Sequence, residues 1–257
     1  MFKRLIAGFL KRLIKEDSFV YKYLQAKKRY GLFSPPHTSC TVNELLQKFN
    51  DLKKEQVFFF QIGANDGIKD DPIHNFVIAN KWKGILVEPL PGPFSMLQKN
   101  YAEAHDRLLF ENVAVSNTSG ELPFYIVSNT ENLNYRFDFT AFSSFNKEVL
   151  VKNFKDYPEI VEHIEEIKIK TTTVHELLAK HAVSQVDLLL IDTEGYDFEI
   201  LKTIDFSNFR PDLLIFEVSN LDRKDFNESL EILKRNEYKL YINHIDCIAL
   251  KKNIHLF

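Results

Sequence analysis

Short runs of apolar residues recur from residue 57 onward and alternate with segments of helical periodicity. The runs are VFFFQI (57–62), GILVEP (84–89), VDLLLID (186–192) and DLLIFEV (212–218). Uninterrupted apolar runs of this length are typical of strands that are buried on both faces. The segments between them predict helices over 73–80, 94–101, 174–181, 198–204 and 224–235. Buried strands that alternate with helices predict an α/β domain whose parallel sheet is covered by helices on both sides.

Three further segments complete the predicted sheet. LLFENVAVS (108–116) is the third strand along the chain, and EYKLYIN (237–243) and CIALKK (247–252) are the last two. The connection between the last two is too short for a crossover, so we expect them to be antiparallel to each other. The sequence therefore predicts a Rossmann-like domain over 53–257 with a mostly parallel seven-stranded sheet and an antiparallel final strand.

Residues 1–52 are predicted to form a helical extension in front of this domain, with helices over 1–16, around 19–29 and from about Thr41. In MFKRLIAGFLKRLIKE (1–16) apolar residues share one half of a helical wheel, and Lys and Arg share the other. The apolar run over 5–10 is too short for a signal peptide or a membrane span. Two interpretations stay open: the basic helix docks on its own domain, or it makes a peripheral contact with an anionic membrane surface.

The charge distribution argues against nucleic acid as a partner of the main domain. The net charge is −3, and residues 1–30 carry nine Lys or Arg against Glu16 and Asp17, a local +7 that leaves −10 for the remainder. An acidic domain has no broad surface that attracts nucleic acid. The two cysteines, Cys40 and Cys247, form no disulfide or zinc spacing. We therefore expect a cytoplasmic protein, peripheral to the inner membrane face if the basic helix binds lipid.

The first predicted strand runs directly into a glycine-bearing loop, Gly63-Ala64-Asn65-Asp66-Gly67. Glycine allows a turn with positive φ and lets a bound nucleoside approach the backbone, and asparagine also tolerates the left-handed conformation. The spacing is G-x-x-x-G and lacks the G-x-G-x-x-G pattern of dinucleotide-binding proteins. Taken alone, this loop is equally consistent with a plain strand-to-helix turn.

The second predicted strand ends in Glu88, which Pro89 follows. A carboxylate at this position can accept hydrogen bonds from both hydroxyls of a ribose. A structural salt bridge is the alternative, because burying an unpaired carboxylate costs several kcal/mol, roughly 2–7 even for an uncharged polar group. In the next strand, the segment from Asn112 to Val115, which includes Ala114, offers backbone groups and an apolar wall to an adenine ring.

The strand at 186–192 ends in the most unusual segment of the chain, Asp192-Thr193-Glu194-Gly195-Tyr196-Asp197, and Glu217 ends the following strand. These carboxylates converge on one edge of the sheet, and like-charge repulsion disfavours such a cluster unless it has a function. Capping of the next helix by Asp192 or Thr193 is one alternative. A divalent cation with oxygen ligands is another, although no His or Cys spacing supports zinc and we expect no metal.

Four motifs in this order resemble the FkbM family of methyltransferases: QIGANDG (61–67), LVEPLPGPF (86–94), IDTEGYDFEIL (191–201) and LIFEV (214–218). The resemblance implies the class I methyltransferase fold, S-adenosylmethionine as methyl donor, and O-methylation of sugars or polyketide-like products. It implies that the residues around the first two motifs and Asp192 contact the cofactor. The predicted cofactor-binding residues are Gln61, Gly63, Ala64, Asn65, Gly67, Glu88, Pro89, Asn112, Ala114 and Asp192. Gln61 stands where class I methyltransferases commonly carry an acid.

An O-methyltransferase must align the acceptor hydroxyl with the methyl group and remove its proton. The predicted catalytic residues are Glu194 as base, Asp192 as orienting group or alternate base, and Glu217 as a third candidate. Residues 129–155 form a long aromatic insertion that can act as a lid. Ser143, Ser144 and Tyr196 are the predicted substrate-binding residues, and the aromatic residues of the insertion either stack on sugar faces or fill core.

The predicted acceptor is a hydroxyl of a sugar in a surface glycan or related glycoconjugate. Three other functions stay open: methylation of a small natural product, a non-catalytic binding module with the same fold, and a nicotinamide-dependent oxidoreductase. The G-x-x-x-G spacing counts against the oxidoreductase, and the intact acidic cluster counts against the non-catalytic module.

Overall fold

The computed structural model describes residues 38, 40–54, 56–130, 139, 142–243 and 245–256. The predicted helices over 1–16 and around 19–29, and with them the predicted membrane contact, lie outside the described residues. The third predicted helix is present as α1 (Val42–Leu52). It begins in a capping box, because the Thr41 hydroxyl accepts the Glu44 N–H while the Glu44 carboxylate accepts the Thr41 N–H.

The described residues form eight α-helices and eleven strands. The helices are α1, α2 (His74–Asn80), α3 (Pro91–Asn100), α4 (Lys147–Asn153), α5 (Pro158–Val161), α6 (Val174–Lys180), α7 (Asp197–Thr203) and α8 (Arg223–Arg235), with a 3-10 helix over Ala102–Arg107. The strands are β1 (Phe58–Ile62), β2 (Lys83–Val87), β3 (Leu108–Glu111), β4 (Ala114–Val115), β5 (Gly120–Val127), β6 (Ser143–Ser144), β7 (Ile164–Thr172), β8 (Leu188–Ile191), β9 (Leu213–Glu217), β10 (Tyr238–Asn243) and β11 (Asp246–Lys251).

Seven of the described strands form one sheet in the order β10-β11-β9-β8-β1-β2-β3. Neighbouring strands from β9 to β3 are parallel, and β11 lies antiparallel between β9 and β10. The prediction of a mostly parallel, Rossmann-like seven-stranded sheet with an antiparallel final strand is confirmed. The chain leaves β1 toward β2 and β3, then returns to β8 on the other side of β1. Ligands of open α/β sheets bind at the carboxyl ends of the strands on either side of such a reversal.

The predicted strand over 108–116 is wrong as a single element. β3 ends at Glu111 in the large sheet, and β4 belongs to a second sheet with the order β4-β7-β5-β6. Between them lies Asn112, whose side-chain amide donates to the carbonyls of Glu88 and Pro89, at 2.9 Å each. These hydrogen bonds tie the chain to the end of β2, so the chain leaves the plane of the large sheet and pairs with β7 instead.

The side chains of the large sheet contribute to two apolar cores, one on each face of the sheet. Phe60, Ile62 and Ile191 pack on one face with helices α6, α7 and α8. On the other face, Phe59 and Leu190 pack with α1. This helix belongs to the predicted N-terminal extension, which ends at residue 52, and it shares the core of the main domain. Between 38 and 256, as far as the structure describes this range, no helix is long and apolar enough to cross a membrane.

Candidate functional site

A cavity of about 520 Å³ opens at the carboxyl ends of β1, β2 and β8, on both sides of the chain reversal. Ten of the predicted site residues line it: Gln61, Gly63, Ala64, Asn65, Glu88, Pro89, Ala114, Ser143, Asp192 and Glu194. The cavity therefore brings together residues that are spread over most of the chain. This is the position at which an α/β sheet of this topology binds its ligand.

The loop after β1 is drawn tightly onto its neighbours by backbone contacts. The N–H groups of Gly63 and Ala64 both donate to the Val87 carbonyl, at 3.0 and 2.9 Å. Gly63 has φ +83°, and a Cβ at this position would lie 1.7 Å from the carbonyl oxygen of Asp192. Only glycine fits here, because the backbone of the next strand end occupies the space of a side chain. This contact is with protein backbone, so a role of the loop in ligand binding stays a prediction.

The Glu88 carboxylate is buried at the cavity wall and holds the glycine loop. One carboxylate oxygen accepts the Asn65 N–H at 2.9 Å, and the other accepts the Leu90 N–H at 2.8 Å. Among the described residues, no ion pair with Glu88 supports the alternative of a structural salt bridge. Burial raises the pKa of Glu88 to about 7, although the two backbone hydrogen bonds act in the opposite direction. Each oxygen keeps a lone pair for a further donor in the cavity.

The acids after β8 stand at the same cavity. Asp192 is open to the cavity but has protein close on its other sides, and burial together with the charges of Glu217 and Asp70 raises its pKa to about 7. Burial and the charges of Asp192 and Glu217 raise the pKa of Glu194 to about 8. Both carboxyl groups therefore have a pKa near neutrality, where a group can gain and lose a proton readily.

The helix-cap explanation of this acidic segment is wrong. The residue that caps α7 is Tyr196, and no side-chain hydrogen bond caps the helix. Thr193 donates its hydroxyl to the Asp197 carboxylate at 3.1 Å, which also accepts the Gly195 N–H at 3.2 Å. Asp197 therefore stabilises the loop through hydrogen bonds within it, whereas Asp192 and Glu194 line the cavity.

The insertion between the two halves of the sheet holds the acidic loop from the outside. The buried Ser144 hydroxyl donates to the Glu194 carbonyl at 2.7 Å, and Phe145 packs against Tyr196 with ring centroids 4.5 Å apart and ring planes tilted by 46°. Glu194 itself has φ +50°, a conformation that needs such support in a residue other than glycine. The predicted lid thus includes two regular elements, β6 and α4, and touches the backbone of a predicted catalytic residue.

Five predicted site residues are not among those that line the cavity: Gly67, Asn112, Ser144, Tyr196 and Glu217. Gly67 lies against Leu97 and Tyr101, where a Cβ would come within 2.6 Å of both side chains. Glu217 accepts hydrogen bonds from the side chains of Ser219 and Asn220, the latter at 3.1 Å. These residues support the cavity through their neighbours, and a direct contact of any of them with a ligand stays a prediction.

Sequence reasoning missed several residues that the fold brings to the cavity: Asp70, Asp71, Phe124, Ile245 and Asp246. Asp246 is the first residue of β11 and pairs in register with Glu217. Because β11 is antiparallel to β9, its beginning lies at the edge where the parallel strands end. Of the aromatic residues in the insertion, Phe142 and Phe145 line the cavity, and Phe139 is 6% exposed in a small separate core.

Replacement of Asp246 by asparagine is expected to stabilise the fold at alkaline pH. Burial and the charges of Asp192 and Glu217 raise the pKa of Asp246 to about 7. A raised pKa stabilises the folded state fully below the unfolded pKa, near 4, and that stability is lost as the pH rises through about 7. We expect a Tm gain of about 2–6 °C at pH 8 and a smaller one at pH 4.5. Thermal unfolding monitored by circular dichroism measures both.

Asp205→Asn is the matched control for this prediction. Hydrogen bonds from Ser207 and Asn208 lower the pKa of Asp205, so its ionised form is the stabilised one. This variant should therefore gain no stability at pH 8. A Tm gain of Asp246→Asn that is larger at pH 4.5 than at pH 8 would contradict the assignment.

The residues that the structure describes contain no group of three or more His, Cys, Asp or Glu arranged to hold a metal ion. The carboxylates at the cavity therefore offer single oxygen atoms to a ligand and no closed coordination sphere.

Comparison with known proteins places residues 61–240 in a single family model, described as the methyltransferase FkbM domain. Among solved structures, the methyltransferase FkbM from Methylobacillus flagellatus KT is 13% identical at a TM-score of 0.47, over 76% of this chain and 44% of that one. The cofactor-bound Rv0187 from MTB is 10% identical to this chain. Its TM-score is 0.45, over 97% of both chains. An RNA methyltransferase from Salinibacter ruber in complex with S-adenosyl-L-homocysteine is 10% identical to this chain. Its TM-score is 0.39, over 86% of this chain and 96% of that one.

The chain spans less than half the length of the first of these structures. A comparison with curated proteins finds no significant match. At such low identities and TM-scores, the chemistry of this chain has to be argued from its own residues.

Proposed function

The chain belongs to the FkbM family of methyltransferases, and from this membership and its cavity we propose that it transfers a methyl group from S-adenosylmethionine to a hydroxyl of a sugar in a surface glycan or related glycoconjugate. One observation carries the proposal. The glycine loop with Glu88 and the titratable pair Asp192 and Glu194 line the same cavity, so a cofactor site and a proton-accepting site adjoin.

The residues on the β1 and β2 side of the cavity fit the cofactor. Gly63 lines the cavity with backbone alone, because it carries no side chain. The Glu88 carboxylate has lone pairs free for the two ribose hydroxyls, and Pro89 and Ala114 add apolar surface. Bound S-adenosylmethionine supplies a methyl group that its sulfonium already activates.

The residues on the β8 side fit the proton transfer. Glu194 is the proposed base, because its pKa of about 8 lets it accept the hydroxyl proton and release it to solvent near neutral pH. Asp192 orients the acceptor or shares the proton. Phe142 and Phe145 offer aromatic faces on which the apolar face of a sugar ring can stack, and Ser143 offers a hydroxyl at the same wall.

Binding of S-adenosylhomocysteine is expected to weaken as the pH falls below 7. Ribose hydroxyls donate best to an ionised carboxylate, and the pKa of Glu88 in the free protein is about 7. Between pH 8 and pH 6 the affinity should fall about tenfold because the carboxylate must first lose its proton. Calorimetric titration at both pH values measures this change.

The isosteric variant Glu88→Gln is the control, since its amide does not titrate. It should bind weakly and with an affinity that changes little over this range. An unchanged pH dependence in Glu88→Gln would assign the effect to another group.

The proposed activity is tested with S-adenosylmethionine and a panel of free and nucleotide-activated sugars. The expected result is S-adenosylhomocysteine release above the acceptor-free rate, with a methoxy signal in the proton spectrum of the product. The same panel contains nucleobases and simple amines, which have no sugar hydroxyls, as alternative acceptors. Transfer to nitrogen only, or to no hydroxyl compound in a preparation that binds S-adenosylhomocysteine, would overturn the sugar O-methyltransferase proposal.

A further inference from the structure

One part of the cavity lies on the α1 face of the sheet, beside β1, β8 and β9. Gln61, Leu190 and Ile215 form a row there, because they pair in register across β1, β8 and β9. Leu190 and Ile215 belong to the core that α1 completes, whereas Ile62 and Ile191 belong to the core of the opposite face. Val42 at the start of α1 and Ile245 beside β11 close this part of the cavity. We call it the α1-side lobe.

Carboxylates dominate the charge at this lobe. Asp192 follows β8, Asp246 follows Ile245, and Asp70 faces them from the loop after β1. The charges of Glu217 and Asp70 act on Asp192, and those of Asp192 and Glu217 act on Asp246. Neither Asp192 nor Asp246 forms an ion pair with a described residue. Within the described part of the chain, six carboxylates line the whole cavity, and Lys69 is the single Lys or Arg among the lining residues.

Gln61 adds an independent sign that a ligand belongs in this lobe. Its side chain is 5% exposed, and its Oε1 atom has no hydrogen-bond partner among the described residues. A buried amide oxygen without a donor costs about 1–3 kcal/mol, so such atoms are rare in folded proteins. Gln61 lines the cavity beside Leu190, its partner in register on β8.

We propose that the α1-side lobe binds a protonated amino group of the acceptor, so that the substrate is an amino sugar with a free ammonium group next to the methylated hydroxyl. An ammonium has three N–H donors and a full charge, which matches the Gln61 oxygen and the unpaired carboxylates Asp192 and Asp246. The apolar residues Val42, Leu190 and Ile215 suit the carbon skeleton that carries the group. This assignment rests on the proposed function and adds the class of the acceptor.

A divalent cation fits the lobe less well than an organic cation. Half of the lobe is hydrocarbon, and the described carboxylates do not form a group that could hold a metal ion. The hard cations that prefer oxygen need six or more ligands, many of them water or carboxylate. The ammonium needs only a few acceptors in an otherwise apolar setting.

Paired sugars, one with a charged amine and the other with the neutral N-acetyl group in its place, test the assignment. Glucosamine and galactosamine are titrated into the protein saturated with S-adenosylhomocysteine, each beside its N-acetyl derivative, in which the amine is neutral. We expect the free amines to bind at least about tenfold more tightly than the acetylated sugars. In Asp246→Asn this preference should shrink to about twofold or less, while S-adenosylhomocysteine binds as in the wild type. The surface variant Asp205→Asn should keep the full preference.

Several outcomes overturn the assignment. The first is that the acetylated sugars bind as tightly as the free amines. The second is that Asp246→Asn weakens the binding of S-adenosylhomocysteine as much as the binding of the amines, which would assign the lobe to the cofactor. The third is that manganese chloride alone binds to the wild type and binds less tightly to Asp246→Asn. A different result would overturn the proposed function itself: a folded wild type that does not bind S-adenosylhomocysteine at all.

Discussion

Glu194→Gln is expected to lower kcat for methyl transfer by about 10²–10⁴-fold, the usual contribution of a general base. Glutamine keeps the shape of the side chain and the backbone hydrogen bond from Ser144 to the residue 194 carbonyl, but it cannot accept the hydroxyl proton. The affinity for S-adenosylhomocysteine should stay within about twofold of the wild type, because the cofactor side of the cavity is unchanged. Initial rates of S-adenosylhomocysteine formation and calorimetric titration measure the two quantities.

The pH profiles of the wild type and of Glu194→Gln show whether Glu194 acts as a base or has only a structural role. The pKa of Glu194 is raised to about 8, so the fraction of enzyme with an ionised base grows as the pH rises from 6 to 9. With S-adenosylmethionine saturating at every pH, so that Glu88 does not contribute, kcat/KM for the acceptor should rise over this range in the wild type, and in Glu194→Gln this rise should disappear. Asp192→Asn decides between the two acids, since the base is the residue whose variant loses the rise. A Glu194→Gln enzyme with wild-type kcat and an unchanged profile would remove Glu194 from the mechanism.

Gly63→Ala is expected to destabilise the fold by about 3–5 kcal/mol and to abolish measurable cofactor binding. The added Cβ would lie 1.7 Å from the Asp192 carbonyl oxygen, and the residue would keep φ near +83°. Because the obstacle is backbone, either the loop after β1 or the loop after β8 must move. Both loops line the cavity, so the change reaches the cofactor site and the acid pair together. Urea unfolding and calorimetric titration give the two readouts.

Gly92→Ala is the matched control. Gly92 lies in the first turn of α3, and a Cβ built there has no heavy atom within 4 Å. Alanine is the better helix former, so this variant should be neutral or slightly stabilising and should bind the cofactor normally. The account is contradicted if Gly63→Ala unfolds and binds like Gly92→Ala.

The large sheet could be predicted because its strands are buried on both faces. Strands such as β8 and β9 therefore appear as unbroken apolar runs that few other structures produce. The second sheet was missed for the opposite reason. β7 reads IEEIKIKTT, in which charged side chains interrupt the apolar ones, and β5 contains Pro123, which argues against a strand. Such strands are recognisable only when the partner is known.

The candidate site could be predicted where a polar residue ends an apolar strand, as Glu88, Asp192 and Glu194 do. Asp246 has no such signal, because it begins an antiparallel strand and its position at the cavity follows from the sheet order alone. Asn112 and Tyr196 occupy the predicted places, but their side chains contact the protein itself. Strand position determines which loop a residue joins, whereas the direction of the side chain depends on neighbours that are distant in sequence.

Calorimetric titration with S-adenosylhomocysteine tests the central claim, a methyltransferase cofactor site at the carboxyl ends of β1, β2 and β8. Three proteins are compared: wild type, Glu88→Ala and the control Glu111→Gln, which changes a buried glutamate at the end of the neighbouring strand outside the cavity lining. We predict roughly micromolar binding that Glu88→Ala weakens about tenfold or more and Glu111→Gln leaves nearly unchanged. A folded wild type that does not bind S-adenosylhomocysteine would contradict the account.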